Sequence, residues 1–210
     1  MLEGSIEDLK KIAANASTPS HLLIELSKHE DSCVRSLVAS NPNTPLETLE
    51  CLGSEFADAI VENPVFDLLK LEDANSEFVR LTLARSTKTP PEVLAKLIAT
   101  ENPDVQICWE VANNINTPID ALGNLAIEIV NQSNSIDDWF SWFVVVAHII
   151  GNPNISESCL EKILDISIDR KNLGLLYKFT RIPISYRMLE KISLYPAKHP
   201  DSPPRGCLAG

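Results

Sequence analysis

The chain has 210 residues, 44% of them apolar and 22% charged, a balance that permits a continuous buried core and argues against general disorder. Acidic side chains outnumber basic ones 29 to 18, for a formal net charge of −11, and no Lys/Arg run is dense enough to neutralise phosphates, which excludes nucleic acid and anionic membrane as expected partners. The five cysteines, Cys33, Cys51, Cys108, Cys159 and Cys207, are odd in number and far apart, a usage that fits a reducing, cytoplasmic setting without zinc or an iron–sulfur cofactor.

The first residues, Met1-Leu2-Glu3-Gly4-Ser5-Ile6-Glu7-Asp8, carry neither the basic start nor the apolar centre of a signal peptide. No stretch reaches the roughly 18 apolar residues that a membrane helix requires. From there one pattern recurs seven times. An apolar pair precedes Asn or a substitute, Pro or a small polar residue follows four positions later, and Leu stands four residues beyond that. The anchors are Pro19, Pro45, Asp67, Pro90, Pro118, Ser156 and Ser185, spaced 22 to 38 residues apart. Such drift is tolerable because loop length enters closure entropy only logarithmically.

In four units Thr directly precedes Pro: Thr18-Pro19, Thr44-Pro45, Thr89-Pro90 and Thr117-Pro118. The pair reads as a helix start, with Thr as cap and Pro opening the first turn. Glu47, Glu92 and Asp120 are then expected to complete a reciprocal capping box. Behind the starts, the pairs Leu23/Leu26, Leu49/Leu52, Leu94/Leu97, Leu122/Leu125, Leu160/Ile163 and Leu189/Ile192 define one helical face. A second short helix, partly 3₁₀, is expected over the apolar pairs Ile12-Ala13, Val38-Ala39, Ile60-Val61, Leu83-Ala84, Val111-Ala112 and Ile149-Ile150. The steps Asn41-Pro42, Asn63-Pro64 and Asn152-Pro153 are expected to end it, because a residue before Pro leaves the α region. Helices this short are marginal alone, so each unit must lean on the next.

The widest gap, 38 residues between Pro118 and Ser156, demands an insertion near residues 128–146. It carries Trp139, Phe140, Trp142 and Phe143. Two readings stand for these aromatics: an exposed partner-binding or self-association patch, or a buried plug between units. The seventh unit, where Lys178-Phe179 replaces the small apolar pair, reads as a terminal cap. Residues 196–210, rich in Pro, are expected to form a flexible tail rather than a helix.

The run Asn41-Pro42-Asn43-Thr44-Pro45 followed by Leu49, with Val34-Arg35 and Val38-Ala39 upstream, resembles the variant leucine-rich repeat family. The likeness extends over about residues 6 to 193 and rests also on Thr89, Pro90 and Leu94, on Asn114, Thr117, Pro118 and Leu122, and on Asn152. It implies an all-α solenoid: a right-handed superhelix of about seven imperfect repeats, each an α-helix paired with a shorter α or 3₁₀ helix, over residues 1–195. It further implies a protein-binding or scaffolding role with no catalytic residue in the repeats. The iron–sulfur domain known in that family is not carried over, since no cysteine precedes Cys33.

The expected function is therefore a protein-interaction module, monomeric or weakly self-associating, recognising an unidentified protein through equivalent positions of successive helices. An enzyme or enzyme-accessory role with a site in residues 135–150, and a metalloprotein using His21, His29, Cys33 and Cys51, are the alternatives. Neither has a recognisable motif behind it: the chain has no Gly-rich phosphate loop. Cys108 and His148 read as ordinary helix positions. Cys207 stands fourth from the end without the basic residues that support prenylation.

Overall fold

The computed structural model describes residues 4–100, 104–132, 139–152 and 155–198, with the backbone alone at 132, 139, 140 and 196–198. Among the described residues the regular structure is entirely α-helical, without strands. The first eight helices are α1 (Ile6–Ala14), α2 (Ser20–Leu26), α3 (Ser32–Ala39), α4 (Leu46–Leu52), α5 (Ala57–Val61), α6 (Pro64–Glu72), α7 (Glu77–Arg85) and α8 (Pro91–Ile98). The remaining six are α9 (Val105–Asn113), α10 (Ile119–Gln132), α11 (Trp139–Ile150), α12 (Glu157–Asp169), α13 (Leu173–Phe179) and α14 (Tyr186–Lys198). No described helix is long and apolar enough to cross a membrane.

The chain divides into two compact units, one of residues 1–97 with 113–116 and the other of residues 98–112 with 117–210. In the first, helices two apart in sequence lie side by side: α1 on α3, α3 on α5, and α5 on α7. Between them α2 packs on α1 and α3, and α6 on α5 and α7. The faces that meet are the expected ones: Leu23, Val34, Val38, Leu49 and Ile60 have no solvent exposure. Burying a side chain of this size is worth about 2 kcal/mol, which offsets the poor intrinsic stability of helices of five to nine residues. In the second unit α12 lies between α10 and α14, and α11 packs on α10 and α13.

The helix starts differ from expectation. Pro19 and Pro45, in extended conformation, are themselves the N-caps of α2 and α4 and bring no side-chain cap. Thr18 and Thr44 face the other way. Their hydroxyls donate to the carbonyls of Ile12 and Val38, each at 2.6 Å, so Thr closes the loop instead of capping the helix. The Thr44 amide donates to the Asn41 carbonyl, which leaves no role for a capping box with Glu47. Where Ser replaces Pro, at Ser156, the hydroxyl does cap its helix through the Cys159 amide.

Several boundaries also move. In the third unit α6 begins at Pro64, directly after its cap Asn63, and Asp67 lies inside the helix, paired with Lys70 at 2.7 Å. The helix over the apolar pairs is α throughout, and no 3₁₀ segment occurs among the described residues. The insertion lengthens α10 to 14 and α11 to 12 residues. The helix α14 runs through Pro196 to Lys198, because a proline in the last turn removes one ladder bond without stopping the turn already formed. Its buried stripe is Met188, Ile192 and Tyr195, and Leu189 is 46% exposed. This shift by one residue brings the larger Tyr195 and Met188 inside at i, i+4, i+7 spacing. By the same logic Ile98 is buried and Leu97 only half-buried.

Candidate functional site

The feature common to the loops is an asparagine clamp. Asn41, 2% exposed, donates its Nδ2 to the carbonyls of Ala13 (2.7 Å) and Asn15 (2.9 Å) in the preceding loop, and its Oδ1 accepts the Asn43 amide at 2.9 Å. Asn63 does the same with the carbonyls of Ala39 and Asn41, both at 2.9 Å, and the Val65 amide at 3.0 Å. Asn114 takes the carbonyls of Ala84 and Ser86, both at 2.8 Å, and the Asn116 amide at 3.0 Å. Each carboxamide thus spends both donor hydrogens on the loop before and its acceptor on its own loop. A side chain of another length or polarity would leave buried backbone groups unpaired, at about 1–3 kcal/mol each.

Flanking groups extend the clamp. Asn43 Nδ2 donates to the Ala16 carbonyl at 2.6 Å and Asn116 Nδ2 to that of Thr87 at 2.5 Å. Thr117 donates to Val111 at 2.5 Å, as Thr18 and Thr44 do six residues back in their loops. Pro118 lends its carbonyl to the amides of Ala121 and Leu122, and Pro90 to those of Val93 and Leu94. Thr89 is the exception: its Oγ1 is buried with no hydrogen-bond partner.

The fourth loop has Ser86 where the loops of Asn41, Asn63 and Asn114 have Asn, and Ser is too short to reach back. The preceding unit reaches forward instead. Asp58 accepts from the Ser86 hydroxyl, the Thr87 amide and the Thr87 hydroxyl, each at 2.7 Å. Burial pushes the Asp58 carboxyl up, but the bonds from Ser86 and Thr87, with the nearby Lys88 charge, outweigh it and hold the group below its ordinary value. Nothing in the sequence flagged Asp58, because its partners lie 28 and 29 residues away. Arg35 likewise binds forward, to Glu55 at 2.5 Å and over the Phe56 ring. Asp31 caps α3 through the Cys33 and Val34 amides.

Of the aromatic segment, Trp142 and Phe143 are half-buried, and Phe143 lies against Gly174 of α13 so closely that a Cβ there would sit 3.2 Å from its ring. The side chains of Trp139 and Phe140 lie outside the described residues. Nearby, Trp109 and His148 pack with ring centroids 5.0 Å apart. Between α10 and α12, Cys159 presses on Gly123, where an added Cβ would meet its sulfur at 2.5 Å. Burial pushes this thiol up, away from the reactive thiolate. Cys33 and Cys51 are exposed and Cys108 buried. Among the described residues, no cluster of three or more His, Cys, Asp or Glu has metal-binding geometry.

The second unit holds a cavity of about 490 Å³, lined by Ile150, Gly151, Asn152, Ile155, Glu157 and Leu160 on one side and by Ile182, Pro183, Ile184, Ser185 and Met188 on the other. Its lining is mainly apolar, and the buried Ser185 Oγ has no hydrogen-bond partner. A smaller pocket of about 240 Å³ between α10 and α12 is lined by Asp120, Asn124, Ser156, Cys159 and Lys162 among others. No protein-family model, curated protein or solved structure matches the chain.

Proposed function

We propose that the chain is a protein-interaction module without catalytic activity of its own, built within each unit from stacked helix pairs of the variant leucine-rich repeat kind. The observation that carries this reading is the asparagine clamp, made alike at Asn41, Asn63 and Asn114. A clamp that bonds only backbone leaves the exposed side chains of each pair free to vary without loss of stacking, which is the working principle of repeat binders. Exposed apolar side chains stand on the outer faces: Leu68 and Leu71 on α6, and Tyr186, Leu189 and Leu194 on α14. The charge of −11 favours a basic partner surface.

Quantitative affinity capture from the native cell, comparing the full chain with Leu68→Asp/Leu71→Asp and with Tyr186→Asp/Leu189→Asp, tests the reading. Saturable retention of a protein by the full chain, lost in one of the two variants, is the expected result. Indistinguishable capture by all three removes these faces, and no saturable capture at all removes the binding role.

A further inference from the structure

The leucine four residues after the repeat anchor is a core residue on α2, α4, α8, α10 and α12, where Leu23, Leu49, Leu94, Leu122 and Leu160 are all buried. The third unit breaks this rule. Its equivalent, Leu71, is 85% exposed, and Leu68, one turn earlier on α6, is 64% exposed. The cause is the early start of α6. The helix α4 begins at Leu46, after the whole loop that follows Asn41, whereas α6 begins at Pro64, directly after Asn63. The turn gained at the front delivers Phe66 to the core and rotates the anchor leucine outward. The helix α6 therefore carries two leucines that the stacking of its unit does not use.

At about 100° per residue, Asp67, Leu71, Leu68 and Glu72 follow one another across one face of α6, so the leucine pair lies between two carboxylates. Asp67 is paired with Lys70, whose ammonium also lies over the ring of the buried Phe66, 5.4 Å from its centroid. Beyond Lys70 the charge is one-sided: residues 71–79 hold Glu72, Asp73 and Glu77, all exposed, and no Lys or Arg. The Asp73 carboxylate accepts the Asn75 amide at 2.9 Å, which leaves its charge in place. With Lys70, the basic residue of the last turn, engaged by Asp67, the negative end of the α6 dipole falls on Glu72 and Asp73, the reverse of the usual complement. An incoming cation would relieve that arrangement.

We propose that this face docks an amphipathic helix of a partner protein, one whose apolar stripe is flanked by Lys or Arg. Leu68 and Leu71 receive the stripe, and the cations at its edge meet Glu72, Asp73 and Glu77. The same charges disfavour other occupants. A second copy facing this patch with its own would set carboxylates against carboxylates, and nucleic acid or an anionic lipid surface would be repelled. The inference rests on the interaction reading above and deepens it, by placing the contact on α6 and giving the partner a charge and a shape.

The test is fluorescence anisotropy of the full chain with a labelled helical peptide that carries Leu at i, i+3, i+4 and i+7 and Lys elsewhere. Saturable binding is expected. Leu68→Gln/Leu71→Gln should weaken it about tenfold and Glu72→Lys about fivefold, the equivalents of about 1.4 and about 1 kcal/mol, with no loss of stability in urea unfolding. Asp169→Lys, the same charge change in the second unit, should leave the affinity unchanged, and a peptide with Glu in place of every Lys should not bind. Equal binding of the two peptides, an affinity untouched by the leucine pair, equal losses in Glu72→Lys and Asp169→Lys, or no binding at millimolar peptide would overturn the inference. So would a dimer in sedimentation that Leu68→Gln/Leu71→Gln dissolves, which would make the occupant a second copy. If the peptide fails while Leu68→Asp/Leu71→Asp still abolishes capture from the cell, the interaction reading stands and only the basic helix falls. No saturable capture of any protein removes both.

Discussion

The two units solve one problem differently. The first is made of helices of five to nine residues, none long enough to persist alone, and it ties them with side chains that bond backbone in the neighbouring loop. In the second, α10, α11, α12 and α14 reach 12 to 14 residues. Longer helices bury more surface per pair, and α10 and α12 approach closely enough that only Gly123 fits beside Cys159. The seventh loop of that unit carries Arg181 at the asparagine position, its guanidinium over the Tyr177 ring. The difference teaches that short helices add loop hydrogen bonds to the burial on which longer ones draw.

Substitution at the two kinds of junction sharpens that contrast. The largest effect is expected from Asn41→Ala, which strands the Ala13 carbonyl and the Asn43 amide, leaves the Asn15 carbonyl with only the Thr18 amide, and should cost about 3 kcal/mol in urea unfolding. A loss under about 1 kcal/mol would mean that the short helices hold without the clamp. Next, Gly123→Ala in the second unit should cost about 2 kcal/mol by overpacking, and Cys159→Ala in the same chain should recover most of it. Failure of that rescue, read in a double-mutant cycle, would place the strain elsewhere.

Asp58→Asn should cost about 1 kcal/mol at neutral pH. The folded carboxyl lies below its ordinary value of about 3.9, so its contribution is complete above that pH and disappears as pH falls through the lower folded value. Wild type and variant should accordingly converge in acid, a trend that urea titrations at pH 7 and pH 3 would read. A gap that widens in acid contradicts the assignment. The smallest effects separate two threonines. Thr44→Val breaks a made bond and should cost about 1 kcal/mol, whereas Thr89→Val removes an unpaired buried hydroxyl and should be neutral or slightly stabilising. Equal losses at the two positions would show that the Thr44 bond contributes nothing of its own.

Much of the helical face was legible from spacing alone. Leu23, Leu26, Leu49, Leu52, Leu94, Leu122, Leu125, Leu160, Ile163 and Ile192 are all buried, because apolar periodicity and burial are the same physical fact. The Thr-Pro steps located helix starts to within a residue but gave the threonine the wrong bond, since a hydroxyl accepts and donates alike and only coordinates tell which. The asparagines read as punctuation before proline. Their larger role, bonding carbonyls 22 to 30 residues away, depends on stacking that no local pattern encodes. Asp58 was invisible for the same reason. The aromatic segment stays divided: Trp142 and Phe143 are half-buried, between the two readings their spacing allowed.

The prolines after Asn41 and Asn63 bear on chemical ageing. An asparagine deamidates when the next backbone nitrogen attacks the side-chain amide, and a proline nitrogen carries no hydrogen to give up. Asn41 and Asn63 are thereby shielded twice, by their neighbour and by a carboxamide held at both ends. Asn114, followed by Ile115, has only the second protection. In protein stored for months, mass spectrometry should find the first conversion to aspartate among the clamps at Asn114, and with it the first loosened junction.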